Sequence, residues 1–350
     1  MHPEKQYVAA LIHDLEQAIP QIYGRRVHSV FFGGGTPSLF SAAAIDDILA
    51  AVRALVRPES NAEITLEANP GTFEAEKFSA YAKSGINRLS IGIQSFNPIH
   101  LKALGRIHDD SEARRAIDMA KHNFDNFNLD IMYALPQQTL ADALQDIDTA
   151  LSFNPPHISA YHLTLEPNTL FFRHPPKLPD DDSAADMQQA IEKKLRDAGY
   201  DNYETSAFAQ ADHRSKHNMN YWQFGDYLGI GAGAHSKISN KNNILRMMRH
   251  KHPQAYLDSV ARAAHVQEEH EVSRNELPFE FMMNALRLRE GFVVPLFQER
   301  TSLPLSVMEK ELREAESRGL ISRDHQRIAP TEKGRLFLND LLQIFLRDKD

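Results

Sequence analysis

The sequence predicts an α/β fold in which helices pack against a parallel β-sheet. Short apolar segments alternate with amphipathic helical segments between about residues 27 and 165, which is the order that successive βα units produce. Three consecutive glycines, Gly33–Gly35, follow the first apolar segment, and polar side chains follow several later ones. This pattern fits either a barrel or a doubly wound sheet.

Strands and helices alternate regularly after an initial helix at residues 5–19. The predicted strands cover residues 27–32, 62–67, 86–96, 127–133 and 157–165. The predicted helices cover residues 42–56, 74–84, 98–104, 111–122, 139–152 and 183–198. Further along, the patterns predict a hairpin at 237–249 that turns at 240–243, and a polar helical region at 250–275. Because a parallel α/β sheet normally opens on a strand, we expect this fold to lack its first strand.

The first glycine cluster is the feature most typical of a binding site. Val30–Phe32 end an apolar strand, and Gly33–Gly35 then leave the turn without side chains. Backbone N–H and C=O groups can approach a ligand closely at such a turn. A second cluster, Gly229–Gly233, predicts the same close approach. Considered alone, the first cluster also fits an ordinary tight turn between a strand and a helix.

Polar residues that can bind a ligand stand at or near the ends of four predicted strands. They are Glu67, Gln94, Asp130 and Glu166. In a parallel barrel the carboxyl ends of the strands converge on one face, and this face carries the active site. Together with Gly33–Gly35, five strand ends supply such groups, which predicts one shared site.

The C-terminal part of the chain, from about residue 278, changes to helices followed by a short hairpin and a last helix. This order resembles a winged helix, so DNA binding is one hypothesis. Residues 278–350 contain 12 Lys and Arg against 12 Asp and Glu, so no basic face is expected. We therefore interpret this segment as a packing or partner module.

The composition excludes several classes of function. The formal net charge of the 350 residues is −8, which makes general binding to nucleic acid or to membrane surfaces a poor hypothesis. Cysteine is absent, which excludes disulfides, thiolate zinc sites and cysteine-held iron–sulfur clusters within this chain. Neither a signal peptide nor an apolar run of membrane-spanning length is evident. The expected location is the cytoplasm.

Seven motifs occur in the order that one known family shows. They are Gly33–Ser38 (GGGTPS), Glu67–Gly71 (EANPG), Ser90–Phe96 (SIGIQSF), Leu104–His108 (LGRIH), Asn128–Pro136 (NLDIMYALP), His217–Trp222 (HNMNYW) and Gly229–His235 (GIGAGAH). Together, over essentially the whole chain, they resemble the HemW family of radical S-adenosylmethionine (SAM) proteins. Members of that family are heme chaperones that have long been described as similar to oxygen-independent coproporphyrinogen III oxidases.

The resemblance implies a particular architecture. It implies a partial (β/α) barrel of the radical SAM type, here lacking its first strand, and a small C-terminal helical module of winged-helix-like order. The implied divisions are a truncated barrel at residues 1–172, an extension that carries the HNMNYW and GIGAGAH motifs at 173–277, and the C-terminal module at 278–350.

A SAM site is also implied by the resemblance. By similarity, the residues that contact SAM are Gly34, Gly35, Thr36, Glu67, Gln94, Arg106 and Asp130. Glycine backbone and the Glu67 carboxylate suit an ammonium group, Arg106 suits a carboxylate, and Asp130 suits ribose hydroxyls. The alternatives are a surface salt bridge for Arg106 and a strand-end cap for Asp130.

One family feature is missing from this sequence. The family places a Cys-x3-Cys-x2-Cys loop after its first barrel strand, and these thiolates hold a [4Fe–4S] cluster whose open iron binds SAM. The present chain begins at the helix that should follow this loop and contains no cysteine. We therefore expect either a start assigned too late or a truncated form, in which these residues cannot hold the cluster.

Three functions follow from the resemblance as hypotheses. The first is a heme chaperone that binds heme and transfers it to apo-hemoproteins such as respiratory-chain enzymes. His217 and His235 are the candidate axial ligands, and Tyr221 and Trp222 could pack on the porphyrin. The second is a coproporphyrinogen III dehydrogenase of porphyrin biosynthesis, which needs the cluster. The third is an inactive remnant.

Overall fold

The computed structural model describes residues 4–71, 75–167, 169–241 and 243–347. The chain divides into two compact units, which we name by their content. The sheet unit comprises Ser29–Asp46 and Ala62–Arg214, and the terminal unit comprises Met1–His28, Asp47–Asn61 and Ser215–Asp350.

A seven-stranded sheet forms the framework of the sheet unit. Its strands are β1 (Arg26–Phe32), β2 (Arg57–Ala68), β3 (Arg88–Gln94), β4 (Phe127–Tyr133), β5 (His157–His162), β6 (Asp201–Asn202) and β7 (Ala207–Ala209). Their spatial order is β1-β2-β3-β4-β5-β7-β6. β2 to β5 pair in parallel, whereas β7 is antiparallel to β5 and to β6. The sheet is therefore mixed and open, with β1 and β6 at its edges.

Helices alternate with these strands as predicted. They are α1 (Glu4–Ile22), α2 (Ala42–Leu55), α3 (Phe78–Ser84), α4 (Pro98–Ala103), α5 (Asp110–Asn123), α6 (Leu140–Ser152), α7 (Leu170–Arg173) and α8 (Asp181–Asp197). Capping boxes at Asp109 and Thr139 explain where α5 and α6 begin. Glu74, part of a predicted helix, lies outside the described residues. Within residues 4–71, no strand precedes β1.

The parallel strands have one apolar face and one polar face. In β4, buried Leu129 and Ile131 alternate with Asn128 and Asp130. Helix α5 packs on β3, and α6 and α8 pack on β4, so helices cover the apolar face. On the opposite face, strand register aligns a row of polar residues: Glu67, Ser90, Asn128 and His157.

The terminal unit contains a three-stranded antiparallel sheet. Its strands are β8 (His235–Ser239), β9 (Ile244–Arg249) and β10 (Val266–Glu271), in the order β10-β9-β8. The predicted hairpin is confirmed, although Asn242 in its turn lies outside the described residues. The predicted helical region at 250–275 is wrong in part. Only α10 (Pro253–Val260) is helical there, and Val266–Glu271 forms an exposed edge strand.

The C-terminal part of the terminal unit combines short helices with a second three-stranded sheet. The helices are α9 (Lys216–Trp222), α11 (Leu277–Ala285), α12 (Val294–Thr301), α13 (Glu309–Ser317), α14 (Glu332–Leu336) and α15 (Leu338–Gln343). The strands, in spatial order, are β11 (Phe292–Val293), β13 (Arg327–Pro330) and β12 (Ile321–Arg323). Phe281 contacts Phe292 and Phe297 edge to face in the core. No helix among the described residues is both long and apolar enough to cross a membrane.

Candidate functional site

The loop after β1 is shaped by its glycines. Gly34 and Gly35 have φ values of 79° and 64°, a left-handed conformation that residues with a Cβ adopt at a cost. The N–H of Gly34 donates to Oε2 of Glu67 at 3.3 Å. A Cβ added at Gly33 would lie 2.6 Å from the Phe31 ring. The loop therefore needs these glycines, and it brings backbone donors to the end of β2.

Asp130 lies within electrostatic range of two further ionisable side chains, Glu67 and Arg106. Burial raises the pKa of Glu67, the Gly34 N–H opposes this rise, and repulsion from Asp130 adds to it. Burial lowers the pKa of Arg106, and attraction to Asp130 opposes that change. Nη1 of Arg106 also lies 3.4 Å from Oδ1 of Asn69. Two carboxylates and a guanidinium thus share one polar region.

Gln94 ends β3 in a strained conformation. Its φ is 68° although it is not a glycine, and the pairing of β3 with β4 shifts register between Ile91 and Gln94. The side-chain Nε2 lies 2.9 Å from the position where a Cβ on Gly92 would stand. Such outliers concentrate at functional sites, and here the glycine two residues earlier makes room for the amide.

Asp130 is held by polar neighbours on two strands. Ser90 Oγ donates to its Oδ2 at 2.9 Å, and Asn128 Nδ2 donates to its Oδ1 at 2.9 Å. Burial raises the pKa of Asp130, and the bonds from Ser90 and Asn128 oppose the rise. The carboxylate is therefore fixed in orientation by hydrogen bonds on its protein side.

A buried histidine extends this network across the sheet. His157 Nδ1 lies 2.6 Å from Asn128 Oδ1, and its Nε2 lies 2.9 Å from the Tyr203 hydroxyl. Because an amide oxygen only accepts, Nδ1 must carry the proton and Nε2 accepts from Tyr203. Burial keeps the pKa of His157 well below its usual value, so the imidazole is neutral. This network was not predicted from the sequence, because its bonds depend on the register in which β4 pairs with β5.

His217 lies among aromatic side chains in the terminal unit. It stands on α9, and its ring meets Tyr221 edge to face at 4.9 Å between centroids. Tyr221 in turn packs against Tyr227 at 4.4 Å. The guanidinium of Arg287 lies 4.4 Å from the Trp222 ring centroid, which is cation–π geometry. The half-buried histidine thus has a defined aromatic environment.

His235, the other candidate ligand, is exposed at the start of β8. The glycine cluster before it is explained by packing within the protein. A Cβ on Gly229 would lie 2.2 Å from the His235 carbonyl oxygen, and the N–H of Gly231 donates to Asp14 at 3.2 Å. The backbone of this cluster does approach other atoms closely, but these atoms belong to α1 and β8 of the protein itself. Packing inside the protein therefore explains Gly229 and Gly231, and binding of a ligand by this cluster stays a prediction.

The predicted residues fall into two sets, one in each unit. All seven SAM candidates belong to the sheet unit, where Gly34 bonds Glu67 and where Asp130 interacts with Glu67 and Arg106. Gly35 and Thr36 continue the glycine loop, and Gln94 ends the neighbouring strand. Glu166 lies four residues beyond β5 and is exposed. Within the described residues, no cluster of three or more His, Asp or Glu is suited to a metal ion.

Family models match two parts of the chain. The model described as the radical SAM superfamily matches residues 3–150, and the model described as the HemN C-terminal domain matches residues 272–337. A solved structure with the same fold is coproporphyrinogen III oxidase (HemN) from Escherichia coli. It is 22% identical, with a TM-score of 0.82, and the match covers 98% of this chain and 83% of that one. The fold is the radical SAM partial barrel, completed by a HemN-type C-terminal domain.

This chain is therefore a radical SAM superfamily protein. It is 46% identical to a protein named heme chaperone HemW from Haemophilus influenzae, and 44% identical to the protein of that name from Escherichia coli. Each match covers 99% of this chain and 91% of the relative. Within the superfamily, the chain belongs to the HemW family.

Proposed function

We propose that this chain is a cytoplasmic heme chaperone, which binds heme and transfers it to apo-hemoproteins such as respiratory-chain enzymes. The observation that carries the proposal is the identity of 44–46% to proteins named heme chaperone HemW, over 99% of the chain. This similarity extends beyond residues 3–150, the part that matches the superfamily model.

His217 is the better candidate for the axial ligand of heme iron. Histidine is a common ligand of heme iron, and His217 has aromatic neighbours that can contact a porphyrin face, whereas His235 is exposed on a strand. Tyr221 and Trp222, whose ring centroids are 6.5 Å apart with the planes tilted by 51°, are the aromatic side chains proposed to contact the porphyrin. Heme is the cargo in this proposal and is not a resident cofactor.

We further propose that the polar region of the sheet unit around Glu67, Arg106 and Asp130 binds SAM. The chemistry of these groups supports this, since the Glu67 carboxylate and backbone carbonyl oxygens accept from an ammonium group and Arg106 suits the carboxylate. Asp130, oriented by Ser90 and Asn128, suits the ribose hydroxyls. Gly35, Thr36 and Gln94 complete the proposed contacts. Bound SAM would place its adenosyl group beside Glu67, Arg106 and Asp130.

The residues present do not fit the [4Fe–4S] cluster that the superfamily implies. Such clusters are held by cysteine thiolates, and this sequence contains none. Nor do the described residues supply a substitute cluster of His, Asp or Glu. We therefore assign no reaction step to a cluster held by this chain.

A second candidate function is oxygen-independent coproporphyrinogen III oxidation. The observation that favours it is the shared fold with coproporphyrinogen III oxidase (HemN), at a TM-score of 0.82. At 22% identity this likeness concerns the fold, and the proposed reaction needs the cluster discussed above. Heme transfer is the better-supported function.

Heme transfer can be tested directly with the full chain. The chain is loaded with one equivalent of hemin, separated from free hemin by gel filtration, and mixed with the apo form of a respiratory cytochrome b. We expect the Soret spectrum of the holo-cytochrome to appear faster than from hemin on serum albumin, and coproporphyrinogen III to stay unconsumed in a parallel anaerobic assay. Hemin that is lost during gel filtration, or transfer no faster than from albumin, would contradict the proposal.

A further inference from the structure

The His217 imidazole packs on Tyr221, and Tyr221 packs on Tyr227, which is fixed in position by further contacts. His217 and Tyr221 are four residues apart on the same face of α9, with rings 4.9 Å apart and nearly perpendicular. Tyr221 packs at 4.4 Å against Tyr227, which lies outside the helix. A helix of seven residues is weak by itself, so contacts from outside are needed to fix the orientation of its side chains.

Tyr227 has little freedom to move. Its backbone N–H and C=O exchange hydrogen bonds with Lys237 at 3.0 and 2.9 Å. Its hydroxyl accepts from Nη1 of Arg246 at 2.7 Å, and the Arg246 guanidinium lies 6.0 Å from the ring centroid. Arg246 is itself paired with Glu280. The ring that Tyr221 packs against is therefore held at both its backbone and its hydroxyl.

We propose that Tyr227 and Arg246 are positioning residues for heme ligation, which hold the His217 imidazole in one orientation through Tyr221. This inference rests on the proposed function, with His217 as the ligand. A histidine binds iron through the lone pair of one ring nitrogen, so the direction of the ring decides how well it coordinates. Outer groups that orient a ligating histidine change metal affinity by about 10–100-fold.

The proposal is tested by hemin titration of the full chain and of variants at both ends of the Arg246–Tyr227 bond. Y227L removes the packing ring, and we expect hemin to bind about tenfold more weakly, with a mixed-spin Soret spectrum. Y227F removes the hydrogen bond from Arg246, and Arg246→Met removes that bond together with the ion pair to Glu280. We expect each to weaken binding by at least roughly threefold, and the double variant to be no weaker than Arg246→Met alone. Tyr23→Leu, at a tyrosine that is 86% exposed, is the matched control.

The pH at which histidine ligation is lost separates positioning from a purely structural role. Protonation of His217 competes with iron, so a more weakly held ligand is displaced at higher pH. We expect this pH to rise in Y227L, Y227F and Arg246→Met, and to stay at the wild-type value in Tyr23→Leu.

The other possible results distinguish failure of the positioning role from failure of His217 as the heme ligand. If the Y227F and Arg246→Met effects add, or if neither moves the ligation pH while H217A abolishes ligation, the positioning role is overturned and the heme proposal stands. If H217A itself leaves the spectrum unchanged, His217 is not the ligand. Because Y227F and Arg246→Met keep most of each side chain, they decide the question even if Y227L does not fold.

Discussion

At the scale of a single residue, Glu67 shows how a buried carboxyl reduces stability. Burial and the neighbouring Asp130 raise its pKa, and the Gly34 N–H only partly offsets this. Because the folded pKa lies above the unfolded value, the folded state holds more protons. The free energy of unfolding therefore falls as pH rises from about 4.5 through the folded pKa.

Replacing Glu67 by glutamine should therefore stabilise the protein at neutral pH. E67Q keeps an oxygen for the Gly34 N–H and removes the charge, so we expect the free energy of unfolding at pH 7 to rise by roughly 0.5–1 kcal/mol. The gain should shrink as pH falls through the raised pKa of folded Glu67, because the wild-type carboxyl then takes up its proton. Urea unfolding at several pH values measures this, with exposed Glu166→Gln as control. A gain independent of pH would contradict the electrostatic explanation.

Several candidate site residues stand out in the sequence, but the partners that support them do not. Glu67 and Gln94 are recognisable because each is a polar residue at or next to the end of its strand, whereas Asp130 stands in the middle of β4, on its polar face. Asn128 and His157 lie within strands and bond each other only because β4 and β5 pair in that register. Pairing register depends on the whole sheet, so periodicity in one segment cannot reveal such a bond.

At the scale of secondary-structure elements, a buried ionic cluster joins parts of the terminal unit. Asp14 of α1 is fully buried and bonds Arg249 of β9 at 3.0 Å, Tyr256 of α10 at 2.9 Å and His265 at 3.1 Å. It also accepts the N–H of Gly231. The elements are therefore connected through one carboxylate.

Removing that carboxylate should be severely destabilising. In Asp14→Ala, the buried guanidinium of Arg249 loses its counter-charge, and we expect a loss of about 3–5 kcal/mol of unfolding free energy. Asp197→Ala, which breaks an exposed pair with Lys193 on α8, should cost less than about 0.5 kcal/mol. Urea unfolding compares the two. Similar small losses in both would show that the buried cluster is not important for stability.

Elements with strong hydrophobic periodicity were predicted well, and elements without it were not. β4 matches its predicted bounds, since apolar and polar residues alternate within it. Val266–Glu271 (VQEEHE) is polar on both faces, and it is a strand because β9 offers a free edge for pairing. β6, β7 and β11, which have only two or three residues each, are too short to leave a periodic pattern.

At the scale of the whole molecule, family membership and fold agree over nearly the entire chain. The relatives named heme chaperone HemW match 99% of it, and the solved structure with the same fold matches 98%. The division at residues 172 and 277 stays a prediction. The two compact units follow contacts in space and each is assembled from separate stretches of chain, which a linear reading of the sequence cannot anticipate.

The most direct test of the central claim is a hemin titration of the full chain and of His217→Ala, followed at the Soret band. We predict saturation near one hemin per chain. In His217→Ala we predict at least about tenfold weaker binding and an altered Soret maximum, because the iron loses its axial ligand. His235→Ala and exposed His325→Ala should stay within about twofold of wild type. A wild-type chain that does not saturate with hemin, or a His217→Ala titration that overlays the wild type, would contradict the account.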